Sequence, residues 1–148
     1  MEDPGKYFST PCVNEIVALA EALRIAHAEG LDARFARHAR IARAVRAGLA
    51  ALGLELFTDA SCRADTLSVV LLPAGVADAD FRREVAARGV VVAGGLGPIA
   101  GKAFRLGHMG NVGPAEVATT LTAIEGALAA LGLSVPPGTA LAAAAAQL

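Results

Sequence analysis

The stretch VVVAGGLGPIAGKAFRLGHMG, residues 90–110, decides the fold. Val90 to Val92 is a β-branched run that reads as a strand. Ala93-Gly-Gly-Leu-Gly-Pro98 breaks it with three glycines and a proline. Ala103-Phe-Arg-Leu-Gly107 resumes as a second strand with a single charge, Arg105, between Phe104 and Leu106. The Gly113-Pro114 pair then opens a helix, because proline suits the first helical position. Val117, Leu121, Ile124 and Leu128 recur along it at helical spacing, and Gly132 closes it.

Upstream, Thr66 to Leu72 is a buried-strand run broken by Pro73 and Gly75, and Leu54 to Phe57 is a short strand candidate. Asp78 is placed to cap a helix carrying Phe81 and Val85 and ending at Gly89. The N-terminal half reads as two helices. Asn14 is the candidate cap of the first, whose apolar positions are Ile16, Leu19, Ala20 and Leu23, with Gly30 as its stop. The second follows Leu31, presents Phe35, Ile41, Val45, Leu49 and Leu52 on its apolar side, and stops at Gly53.

The resulting order is α-α-β-β-α-β-β-α. It predicts an α+β fold: a small antiparallel or mixed sheet of about four strands covered by helices on one face. Three regions are expected, an extended lead-in at 1–13, the folded domain at 14–133, and a low-complexity alanine tail at 134–148 that frays or forms a short helix.

Composition narrows the function. The 148 residues are 55 % hydrophobic with a mean hydropathy of +0.53, much of it alanine, and no run of about 18 apolar residues suggests a membrane span. A net charge of −1 gives no field to recruit nucleic acid. Arg34, Arg37, Arg40, Arg43 and Arg46 recur every third residue, but that step drifts about 60° per repeat, so they read as a solvated helix face. Cys12 and Cys62 lack metal spacing and read as free thiols of a reducing, cytoplasmic compartment. His27, His38 and His108 read as helix-surface histidines, and no metal motif is present.

Three features remain as candidate chemistry. Tyr7 and Thr10 place two hydroxyls three residues apart, able to reach one oxyanion. Gly94, Gly95 and Gly97 permit close backbone approach. Arg105 offers a planar fork suited to a carboxylate.

With these residues in hand, the stretch 90–128, ending in GHMGNVGPAEVATTLTAIEGAL, resembles the C-terminal small domain of class V, fold-type I aminotransferases of the alanine–glyoxylate and serine–pyruvate type. The segment YFSTPCVNEIVALAEALRIAHAEGL, residues 7–31, resembles that family's passage into its small domain. The resemblance runs from about Lys6 to Gly132. It implies pyridoxal 5'-phosphate as cofactor and an amino acid and a 2-oxo acid as substrates. It implies that Arg105 binds the substrate carboxylate, that Tyr7 and Thr10 reach the cofactor phosphate of a neighbouring subunit in a homodimer, and that Gly94–Gly97 is a turn beside the active site. The family's Schiff-base lysine lies in a large N-terminal domain, and neither Lys6 nor Lys102 matches it. The chain alone is therefore expected not to transaminate. The competing expectation is a non-catalytic remnant that binds or assembles.

Overall fold

The computed structural model describes Gly5 and residues 9–148. The chain divides into two compact units, Met1–Phe35 and Ala36–Leu148. Helix α1 (Val13–Glu29) belongs to the first, and α2 (Leu31–Ala51) begins there and continues into the second.

In the first unit α1 starts one residue before the expected cap. Cys12 occupies the N-cap position without a side-chain bond, so Asn14 lies inside the first turn. Gly30, at φ 85°, ends the helix. Arg34 and Glu29 pair at 2.7 Å across the turn between the helices. Ile16, Leu19 and Leu23, the large apolar residues at helical spacing, are exposed, and α1 buries no residue. Phe35 is exposed too: it lies one turn before His38, the first buried residue of α2.

The second unit is built on a three-stranded antiparallel sheet in the order β1-β3-β2, with β1 Leu67–Leu71, β2 Ala93–Gly94 and β3 Ala103–Gly107. Val69 pairs with Arg105 and Ala93 pairs with Arg105 from the other side, so β3 is the middle strand. Two expectations need correction. Leu54 to Phe57 makes one bridge, Leu56 to Val70, because the chain leaves at once for the 3₁₀ turn Ala60–Cys62; the sheet has three strands, not four. The strand expected at Val90–Val92 forms at Ala93–Gly94 instead. Val90 is still closing the preceding helix through its N–H to the Val85 carbonyl, and the ladder starts only where the backbone reaches β3.

Alternation along the strands sorts side chains to two faces. Val70, Phe104 and Leu106 join one core with Ile41, Val45 and Leu49 of α2, Phe81 and Val85 of α3 (Asp78–Ala87), and Val117, Leu121, Ile124 and Leu128 of α4 (Pro114–Ala130). Phe81 and Phe104 stack with ring centroids 4.6 Å apart. Asp78 is the first residue of α3 and not its cap, which is Ala77; its carboxylate pairs with Arg82 one turn on at 2.9 Å. Gly113 precedes α4, and its N–H donates to the Glu116 carboxylate at 2.9 Å.

The alanine-rich end forms α5 (Thr139–Ala145), and Ala140 and Ala144 are fully buried. Helices this short are marginal in water alone. Two contacts hold it. The Glu125 carboxylate of α4 accepts from the Gly138 N–H at 2.6 Å and the Ala140 N–H at 3.1 Å, capping its first turn. At Gly48 of α2, a Cβ would stand 2.5 Å from Leu121 Cδ1 and 3.0 Å from the Ala140 carbonyl, so the missing side chain is what lets the helices meet.

Replacing Glu125 with alanine is expected to cost about 0.5–2 kcal/mol, the usual worth of a side-chain cap. Urea unfolding measures it, with limited proteolysis cutting earlier after residue 138. An unchanged midpoint and cutting rate would contradict the capping role.

Candidate functional site

Arg105 is held between two neighbours on the middle strand, and its side chain leaves the sheet on the face opposite Phe104 and Leu106. It is half-buried. Its Nε donates to the Gly94 carbonyl at 2.8 Å. Among the described residues no other hydrogen bond or ion pair engages the guanidinium. One edge of the fork is thus fixed by backbone while its terminal nitrogens remain unengaged. That is a pre-aimed donor pair suited to a carboxylate or phosphate.

The glycines provide the anchoring carbonyl. Gly94 lies in β2, not in a loop, and its backbone faces Phe104 across the ladder. The Asp78–Arg82 pair packs against it: a Cβ there would sit 3.3 Å from the Asp78 carboxylate. Gly95 is the tightest point, since a Cβ would fall 2.2 Å from the Ile99 carbonyl oxygen. Its N–H donates to the Ala103 carbonyl at 2.7 Å, closing the turn. Gly97 starts the 3₁₀ turn Gly97–Ile99 at φ 54°. The structure therefore brings Arg105, Gly94 and Gly95 together. Thr10 belongs to the other unit; its side chain is exposed and makes no hydrogen bond among the described residues. Tyr7 and Lys6 lie outside the described residues. Lys102 is exposed in the turn before β3.

A second polar group was not anticipated. His38 and His108, read as surface histidines, are buried at 6 % and 2 % exposure. The His38 Nε2 accepts from the Gly110 N–H at 3.0 Å. Arg37, read as part of a solvated face, donates from Nη1 to the Gly110 and Val112 carbonyls, both at 2.9 Å. His108 Nε2 lies 3.0 Å from the Ser68 hydroxyl of β1. Its Nδ1 is buried without a well-formed hydrogen bond. Burial, and then the Arg46 charge, push the His108 imidazole below its ordinary value, and the neighbouring Asp65 offsets this only in part. Arg46 itself donates to the Ala64 carbonyl and lies 3.6 Å from Asp65. The signals were present in the sequence. His108 continues the inward alternation of Phe104 and Leu106, and His38 stands one turn before Ile41 on the buried stripe of α2.

Cys12 and Cys62 are free and exposed. Among the described residues no cluster of three or more His, Cys, Asp or Glu could hold a metal ion, and no helix is long and apolar enough to cross a membrane.

No protein-family model matches the chain. It is 45 % identical over 127 residues to an uncharacterized aminotransferase of Methanocaldococcus jannaschii, covering 85 % of this chain and 33 % of that protein. It is 36 % identical over 145 residues to a serine–glyoxylate aminotransferase of Hyphomicrobium methylovorum, covering 97 % and 36 %. The crystal structure of pyridoxamine–pyruvate aminotransferase from Mesorhizobium loti superposes with a TM-score of 0.89 at 38 % identity, covering 96 % of this chain and 37 % of that one. Sheet, helices and sequence together define an aminotransferase small domain. The chain belongs to the class V aminotransferases and spans about a third of the length of the relatives it matches.

Gly95→Ala is expected to cost about 1–3 kcal/mol, as overpacking does, and to displace the β2 turn. The Arg105 Nε–H then loses its partner, which NMR detects as faster solvent exchange of that proton. Persistent protection of the Nε–H would show that Gly95 does not set the anchor.

Proposed function

We propose that this chain is the C-terminal small domain of a pyridoxal-phosphate aminotransferase. The enzyme moves an amino group from a small amino acid, serine or alanine, to glyoxylate or pyruvate. The observation that carries this reading is the Arg105 guanidinium, anchored at Nε by Gly94 and unengaged at its terminal nitrogens. A substrate carboxylate completes that fork through two charge-assisted hydrogen bonds. The relatives named for transfer to glyoxylate and pyruvate support the substrate class.

The residues present suit the cofactor to the extent that they would touch it. The Thr10 hydroxyl is exposed and unengaged among the described residues, as a donor to a phosphate oxygen must be. In this reading Thr10 and Tyr7 donate to the cofactor phosphate of a neighbouring subunit in a homodimer. When bound, pyridoxal phosphate supplies the electron sink for the amino-group transfer. A large N-terminal domain, in cis or in trans, contributes the lysine that attaches it. Arg105 fixes the substrate by its carboxylate so that the amino or keto carbon is presented in one orientation. Orientation of this kind accounts for part of the roughly 7–11 kcal/mol that good positioning can remove from a barrier. The Gly94–Gly97 turn borders this position, keeping bulk away from the arginine. The exposed free thiols fit a cytoplasmic location.

In the assembled enzyme, Arg105→Lys is expected to raise KM for both substrates about 10- to 100-fold, since a bidentate charge-assisted contact becomes a single point contact. Steady-state kinetics on the assembled enzyme reads this. Unchanged kinetics would remove Arg105 from the substrate site.

A further inference from the structure

The Arg105 side chain starts on the middle strand of the sheet and ends at its outer edge. The Gly95 N–H donates inward, to the Ala103 carbonyl of β3 at 2.7 Å. The Gly94 carbonyl belongs to the same planar trans peptide, so it points the opposite way, off the outer side of β2, the end strand of the sheet. Arg105 Nε meets that carbonyl at 2.8 Å. The arginine stem therefore crosses the width of β2, a lateral step of about 4.8 Å. Two residues share the face that it crosses. Ala93 is the register partner of Arg105 and is exposed. Gly95, two residues on, has no Cβ.

We propose that Ala93 is a positioning residue for Arg105: its single methyl group leaves the passage across β2 open, and a branched side chain there would lift the guanidinium off the Gly94 carbonyl. That this positioning serves substrate binding rests on the reading above; the passage itself does not.

Backbone distance alone would select a different residue. The Leu72 N–H donates to the Lys102 carbonyl and the His108 N–H to the Thr66 carbonyl, each at 2.9 Å, so by alternation Val69 and Arg105 form a non-hydrogen-bonded pair. Such pairs have Cα atoms about 4.5 Å apart, against about 5.5 Å for the hydrogen-bonded kind, to which Ala93 and Arg105 belong. Val69 is thus the nearer neighbour, yet the side chain turns away from it to reach Gly94. Added bulk at the two positions has opposite consequences. At Val69 it enters space that the arginine has left. At Ala93 it stands in the path. The shape of the bulk matters as well. Isoleucine, branched at Cβ, is stiff at χ1 and has little freedom to stand aside. It also suits a strand, so the sheet itself tolerates it at an exposed position. Serine adds one atom and can rotate it clear.

The test is NMR of the 15N-labelled chain, following the Arg105 Nε–H, with urea unfolding of each variant alongside. In Ala93→Ile the Nε–H is expected to shift and to lose protection from exchange roughly 2- to 10-fold, the worth of one hydrogen bond. The unfolding midpoint is expected to be no lower than that of the unmodified chain. Ala93→Ser and Val69→Ile are expected to keep the Nε–H protected. An Nε–H that stays protected in Ala93→Ile overturns the proposal. So does an equal loss in Val69→Ile, which marks a general response to crowding of the sheet. If Ala93→Ile lowers the midpoint, Ala93→Val, one carbon smaller, takes its place with the same two readouts. In the assembled enzyme Ala93→Ile is expected to raise KM for both substrates roughly 2- to 10-fold, with kcat changed less and Ala93→Ser restoring both. A KM that does not move while the Nε–H bond is lost overturns the link to substrate binding. If Arg105→Lys leaves KM unchanged, the substrate reading fails, and the Nε–H readouts on the chain still decide the role of Ala93.

Discussion

The pairing of β3 on both of its edges is the constraint on which the second unit depends. With β1 on one side and β2 on the other, the strand cannot rotate, so its alternation becomes a fixed assignment of faces. Phe104 and Leu106 enter the core, where Phe104 stacks on Phe81 of α3. Arg105 between them has nowhere to go but the opposite face. A slip of one residue would bury the guanidinium and expose both apolar side chains, at a cost of several kcal/mol. The apolar core and the aim of the arginine thus share one cause.

Around that strand, backbone carbonyls set the positions of the cationic side chains. Gly94 holds Arg105 by Nε, Gly110 and Val112 hold Arg37, and Ala64 holds Arg46. A carbonyl carries no net charge, so it orients a guanidinium without neutralising it. Arg105 therefore keeps its full charge for an incoming anion, which a carboxylate neighbour would have quenched. The ion pairs of the unit include Arg46–Asp65, and Asp78–Arg82 and Glu84–Arg88 on α3.

Much of this was legible in the sequence, because long apolar stripes report burial directly. Val117, Leu121, Ile124 and Leu128 of α4, and Phe81 and Val85 of α3, are all buried as their spacing implies. The runs of β1 and β3 were readable for the same reason. What escaped notice depends on pairing or on tertiary contact. Ala93 and Gly94 have no strand propensity and become β2 only because β3 offers a free edge. Asn14 and Asp78 are good capping residues, yet the N-cap positions of their helices fall to Cys12 and Ala77. His38 and His108 were read as surface residues because histidine is only intermediate in its preference for the interior, although their positions in the helical and strand periods pointed inward. At the candidate site, Arg105 stood out as the lone charge of an apolar strand and Gly95 as part of a glycine cluster. That the Gly94 carbonyl grips the arginine was not readable, since it requires two strands to be set side by side.

The most direct measurement is a crystal structure of the assembled enzyme with a substrate-like amino acid or 2-oxo acid bound. The account predicts the α-carboxylate within hydrogen-bond distance of both terminal nitrogens of Arg105, with Nε still on the Gly94 carbonyl. A carboxylate held by other residues, with Arg105 turned away, would contradict it.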